Sequence, residues 1–130
     1  MPERSLVLDT CALIWLSSGA SELSESSRTA IDRADTVWVS AISAWEISLL
    51  VAKKKLTLPG ASKSWFDKVL DQHRLSIAGL SVDVLMDANE LPWHHRDPAD
   101  RFIIATAQAM GASVVTADRK FELYDIPVII

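Results

Sequence analysis

Apolar positions along this chain come in short blocks, and their spacing alternates between two periods. Ser5-Leu-Val-Leu8, Thr36-Val-Trp-Val39, Ser113-Val-Val-Thr116 and Val128-Ile-Ile130 are compact apolar runs with β-branched residues, as in buried strands. Residues 75–78 form a weaker fifth run. The intervening segments follow helical spacing and are punctuated by caps. Asp9-Thr10 opens a helix over 12–16 that Gly19 closes, and Ser24 opens one over 25–34. Ser40 or Ser43 starts a helix that runs to about Lys53, with Lys53, Lys54 and Lys55 at the end where the helix dipole favours cations. Ser62 caps a helix over 63–73 whose apolar stripe is Trp65, Phe66, Val69 and Leu70. Ser81 starts a helix to about Glu90. Asp97-Pro98 starts another, an N-cap acid followed by Pro at the first helical position, and Gly111 closes it.

Strands alternating with helices predict an α/β fold, a central parallel β-sheet flanked by α-helices on both faces. The 130 residues fit a single domain, 1–130. No apolar run is long enough to span a membrane. The start, Met1-Pro2-Glu3-Arg4, lacks a signal peptide's basic start and apolar core, so the expected location is cytoplasmic. The one cysteine, Cys11, excludes an internal disulfide framework and a multi-cysteine zinc site.

In open parallel sheets, ligands bind outside the carboxyl ends of the strands. Asp9 directly follows the first strand, and Asp118 follows the strand at 113–116. If those strands are parallel neighbours, both carboxylates face one crevice. Two more acids interrupt apolar faces. With Ile42 at 0° on a helical wheel, Glu46 falls at about 40° and Leu50 at about 80°. Asp100 shares a face with Ile103, Ile104 and Ala107. Each acid also has a structural reading. Asp9 is a helix cap, Glu46 closes a Ser-x-x-Glu capping box with Ser43, Asp100 occupies a favourable first turn, and Asp118 lies in a turn.

Charge decides between these readings. The net charge of −4, from 17 acidic and 13 basic residues, argues by itself against a nucleic-acid partner. Four acids held in one metal site would leave 13 against 13. Two carboxylates ~6 Å apart repel by roughly 3 kcal/mol at an effective dielectric of about 20. Six such pairs reach on the order of 15–20 kcal/mol, as large as the stability of a whole domain. Such a cluster must protonate, bind a cation, or receive a basic group from a partner. Hard oxygen donors select Mg2+ or Mn2+. An open acidic metal site suits phosphodiester hydrolysis.

Four blocks carry a family resemblance: Leu6-Val-Leu-Asp-Thr10, Ser40-Ala-Ile-Ser-Ala-Trp-Glu46, Asp97-Pro-Ala-Asp-Arg101 with Ile104-Ala-Thr-Ala107, and Val115-Thr-Ala-Asp118. In this order and spacing the chain resembles PIN-domain ribonucleases, and among them VapC-type toxins of toxin–antitoxin pairs. The resemblance implies a PIN-like fold and a metal-dependent endoribonuclease whose catalytic and metal-holding acids match Asp9, Glu46, Asp100 and Asp118. It also implies a homodimer and a small antitoxin partner that inserts a basic segment into the acidic pocket. Cys11 departs from the family, which often has Ser or Asn there, and the fourth acid is the family's most variable position. Asp97 matches a recurrent family acid and reads as the helix N-cap. Thr10 and Thr116 are placed to hydrogen-bond the carboxylates.

Arg96, Arg101, Arg119 and Lys120 flank the acids and are candidate RNA contacts. Lys53 to Lys55 read as a solvated helix end. Adjacent His94 and His95 face different ways and receive no metal role, so protonation of a leaving oxygen falls to water. Trp38 and Trp45 fit core positions, and Trp15, Trp65 and Trp93 default to core. The Trp65-Phe66-Val69-Leu70 stripe is a candidate partner-helix surface. A phosphoacceptor receiver domain would need a second acid beside Asp9 and a Lys after a late strand, and neither is present. A PIN-type processing nuclease outside a toxin system and a catalytically silent PIN-like binding module are the remaining alternatives.

Overall fold

The computed structural model describes residues 4–130. The reading of the amino terminus falls largely on Met1, Pro2 and Glu3, which lie outside the described residues. The chain forms β1 (Ser5–Leu8), α1 (Thr10–Ser18), α2 (Glu25–Arg33), β2 (Thr36–Ser40), α3 (Ala41–Ala52), α4 (Ser62–Gln72), β3 (Leu75–Ala78), α5 (Val82–Glu90), α6 (Pro98–Met110), β4 (Ser113–Val115), a 3₁₀ turn (Arg119–Leu123) and β5 (Val128–Ile129). The strands lie side by side in the order β3-β2-β1-β4-β5, and every pairing is parallel.

Strand alternation explains the two cores. Leu6 and Leu8 point to one face of β1 and Val7 to the other, and Val115 and Val114 do the same in β4. On one face Val7 and Val114 pack with Val84 and Ala88 of α5, Ile103, Ile104 and Ala107 of α6, and Phe121. On the other, Leu6, Leu8, Val37 and Val115 pack with Leu13, Ile47, Trp65 and Val69. Helices therefore cover both faces, as the strand–helix alternation predicts.

Caps set the helix ends. Asp9 accepts from the Ala12 N–H at 2.8 Å, and Ser24, Ser81 and Asp97 each accept from a first-turn N–H of α2, α5 and α6. Gly111 closes α6 at φ 63°, the left-handed conformation that costs a residue with a Cβ. Two expectations fail here. Ser40, not Ser43, caps α3, so Ser43 lies inside the helix and the Ser43–Glu46 capping box does not form. Ser62 is the first residue of α4, whose N-cap is Ala61 with no side-chain bond.

The order of strands positions the site. From β1 the chain winds outward through β2 to β3, then returns to place β4 on the other side of β1. The winding direction reverses between β1 and β4, and a crevice opens at their carboxyl ends. Asp9 ends one of these strands, and Asp118 lies three residues beyond the other.

Candidate functional site at the carboxyl ends of β1 and β4

Asp9 is 6% exposed, and each of its oxygens is held. Oδ1 accepts from the Ala12 N–H, and Oδ2 accepts from Thr116 Oγ1 at 2.6 Å. Thr116 Oγ1 in turn accepts from the Asp118 N–H at 3.0 Å, so one hydroxyl ties the two strand-end acids together. Across the crevice, Thr10 Oγ1 donates to Glu46 Oε1. Thr10 has then spent its only hydrogen, so Ser43 must be the donor in the 2.9 Å contact between the two hydroxyls. The hydroxyl that failed as a cap thus steadies Thr10, which steadies Glu46.

Three of the four acids lie above the ordinary carboxylate range. Burial raises Asp9, with Asp118 adding to it against the bonds from Thr116 and Ala12. Burial also raises Glu46, and the charges of Asp97 and Asp9 add to it. Asp100 is pushed up to about 8 by burial and then by Asp97, Glu46, Asp9 and Asp118. Asp118 differs. Its modest desolvation is outweighed by the Lys120 N–H, by His95 and by the Lys120 charge, which hold it below the usual range. Cys11, beside Asp9, is pushed to about 11 by desolvation and by the same four acids. Contacts through Thr116 and His95 link Asp9, Asp118 and Asp100, and Thr10, next to Asp9 in the chain, binds Glu46. Asp97 caps α6 as its sequence position predicts, and its charge contributes to the field.

The crevice also holds a side chain to which sequence reasoning gave no role. His95 Nε2 lies 2.9 Å from Asp118 Oδ2 and 3.0 Å from Asp100 Oδ2. One ligand atom from each of these three residues falls within 4.8 Å of the others. Periodicity could not find His95, because it lies in the loop between α5 and α6.

Arg101 corrects a second expectation. It is 2% exposed, so its guanidinium is not presented to solvent. Its guanidinium binds the carbonyls of Ala88, Leu91, Pro92 and His95 and stacks 3.5 Å from the centroid of Trp93. The candidate RNA contacts thus reduce to Arg96, Arg119 and Lys120, all exposed, with Arg119 paired to Glu122 at 3.1 Å.

The tryptophans divide similarly. Trp65 is core on one face of the sheet and Trp38 is half-buried on the other, whereas Trp45 is 58% exposed and Trp93 62% exposed. The two buried residues of the α4 stripe, Trp65 and Val69, face the core rather than a partner. Phe66 instead lines a cavity of about 410 Å³ between α3 and α4, with Trp45, Ala44 and Ile47. Among the described residues no helix is long and apolar enough to cross a membrane.

The raised carboxyls have a consequence for stability. An unfolded Asp titrates near 4, and folded Asp100 at about 8. Between those values the folded chain holds a proton that the unfolded chain has lost. The contribution of Asp100 to stability is therefore full below about pH 4, falls by up to ~1.4 kcal/mol per unit as pH rises toward 8, and is gone above it. Asp9 and Glu46 act in the same direction. Thermal melts from pH 5 to 9 in EDTA should show a falling midpoint, and a rising one would contradict the assignment.

The PIN domain family matches residues 6–127. Ribonuclease VapC22 of Mycobacterium tuberculosis is 32% identical over 124 residues, covering 95% of this chain and 94% of that protein. Among solved structures, VapBC2 from Rickettsia felis, bound to a DNA fragment from its promoter, superposes with a TM-score of 0.71 at 20% identity. That match covers 96% of this chain and 97% of the other. FitAcB from Neisseria gonorrhoeae gives a TM-score of 0.65 at 25% identity, with 96% of each chain covered.

Proposed function

The chain belongs to the PIN-domain family, and from that premise we propose that it is a metal-dependent endoribonuclease, the toxin of a toxin–antitoxin pair. The observation that carries this reading is the acid crevice at the switch between β1 and β4, where three carboxyls sit above their ordinary range. That excess of desolvated negative charge, presented by oxygen donors, fits a hard divalent cation. Asp9, Glu46, Asp100 and Asp118 would hold Mg2+ or Mn2+. When bound, such an ion supplies a water of lowered pKa and positive charge against the phosphoryl oxygens.

The chain's own residues supply the rest. Thr116 and the Ala12 N–H fix Asp9, and each of its oxygens keeps a second lone pair. Thr10, steadied by Ser43, aims Glu46 from the opposite wall. Asp97 ends its role at the cap of α6, which sets where Asp100 enters the crevice one turn along. Arg96, Arg119 and Lys120 lie on the exposed rim, where they can take an RNA phosphate.

An antitoxin partner is supported by the relatives and by the cavity between α3 and α4, whose exposed Trp45 is adjacent to Glu46 in sequence. Homodimerisation is supported by Val82, Leu85 and Met86, which expose an i, i+3, i+4 apolar stripe on α5. The protein works as one domain in the cytoplasm, its single sheet drawing strands from both ends of the chain.

Purified protein should cut total cellular RNA into discrete fragments in Mg2+ or Mn2+ and leave it intact in EDTA. Cleavage that persists in EDTA would overturn the metal dependence. A folded protein that cuts no RNA in either metal would favour a silent binding module.

A further inference from the structure

We propose that His95 is a positioning residue of the crevice, whose ring bridges Asp118 and Asp100 by a Nε2–H hydrogen bond to the first and a close contact with the second, so that a divalent cation must displace it from those oxygens. The inference rests on the metal-binding reading of the crevice. The two carboxylates come from different elements, the first turn of α6 and the turn after β4, and Nε2 reaches both, at 3.0 and 2.9 Å. The ring is buried, with the residue 7% exposed.

The tautomer follows from the other ring nitrogen. The Asp97 N–H points at Nδ1 at 3.3 Å, so Nδ1 offers a lone pair and the proton sits on Nε2. His95 therefore presents a hydrogen to the carboxylates. A metal ligand would present the lone pair instead.

The surroundings hold this orientation from every side. The His95 N–H donates to Tyr124 Oη at 2.8 Å, and its carbonyl accepts from Arg101 Nη1 at 3.0 Å. Tyr124 Oη donates to the Pro92 carbonyl at 2.7 Å, which closes the loop on itself. Phe121 meets the imidazole edge-on, with centroids 5.6 Å apart at 83°. The loop before α6 is thus built around one ring in one pose.

A donor in this position has two effects. It fixes Asp118 beside Asp100, and it competes with any cation for the oxygens it covers. Metal affinity is then set partly by how readily Nε2–H yields, so the bridge lowers it.

Two variants test this, His95→Ala and His95→Gln, the glutamine amide keeping an N–H donor near the position of Nε2. Protein stripped with EDTA is titrated calorimetrically with Mn2+, and melts are recorded in EDTA and in saturating Mn2+. The bridge predicts that His95→Ala binds Mn2+ about tenfold more tightly, equivalent to ~1.4 kcal/mol. Its melting point should fall more in EDTA than in Mn2+, and His95→Gln should stay within about threefold of the parent affinity. Weaker Mn2+ binding by His95→Ala would make His95 a ligand and overturn the proposal. Unchanged affinity with equal loss of melting point in both buffers would reduce it to a loop support and also overturn it. If neither parent nor variants bind Mn2+, the metal reading of the crevice fails and takes this inference with it.

Discussion

Asp100→Asn is expected to cut RNA cleavage by ~10²- to 10³-fold while raising stability in EDTA at pH 8. The activity loss follows from the place of Asp100 in the proposed site. It is the acid most raised by its surroundings, and four other carboxylates act on it. An amide keeps the shape but loses the charge that would hold a cation, and loss of one electrostatic contact at a reacting centre costs about this much. The stability gain comes from the same cause. At pH 8 folding must keep a desolvated charge beside other charges or retain a proton, and the neutral amide does neither. Asparagine keeps an oxygen beside His95 Nε2, whose hydrogen bond goes to Asp118, so the fold has no new unsatisfied group at that contact. Melts at pH 8 should show the variant above the parent in EDTA, with the difference shrinking or reversing in Mg2+. An inactive variant that is also less stable in EDTA would point to simple misfolding.

Arg101→Ala should destabilise the fold by ~3–5 kcal/mol, the scale of removing one partner from a buried charged network. Nη1 serves the carbonyls of Pro92 and His95 and nears Tyr124 Oη, while Nη2 serves Ala88 and Leu91. Truncation orphans four carbonyls at once, in the turn that ends α5 and leads to α6. With a total stability of about 5–15 kcal/mol for a domain, that loss threatens folding itself. Lysine would not rescue it fully, because one ammonium cannot serve carbonyls fanned over two guanidinium nitrogens. Arg96 and Arg119 are exposed, and their alanine variants should change stability by no more than about 0.5 kcal/mol. Urea unfolding of the three variants makes the comparison, and an Arg101→Ala midpoint close to the other two would refute the structural role. Because the His95 carbonyl is one of the four, Arg101 also helps to aim the imidazole that meets Asp100 and Asp118.

Arg101 was legible in principle. It lies on the face of α6 shared with Ile104 and Ala105, the same pattern that singles out Glu46 on α3. Its place beside an acid suggested a phosphate contact, and that reading overrode the periodicity. Trp45 shows the reverse case. Its helix is apolar almost all round, so no stripe marks which residues face out, and Trp45 lies on the exposed side. Ser40 and Ser43 were equal candidates as caps, since both precede a helical run by a permissible distance. The register of β2, which extends through Ser40, decided between them.

The sequence by itself determined the alternation of strands and helices, the parallel sheet and most helix caps, and it singled out the four acids as candidates. These rest on interactions between residues at most about four apart, or on side-chain periods of 2 and 3.6. Only the tertiary structure decided that His95 reaches Asp118, that Tyr124 and Arg101 hold the loop carrying it, and that β4 returns beside β1. Those contacts join segments up to about a hundred residues apart. They exist because α5 and α6 pack on one face of the sheet and bring their connecting loop to its carboxyl edge, a placement that no local pattern encodes.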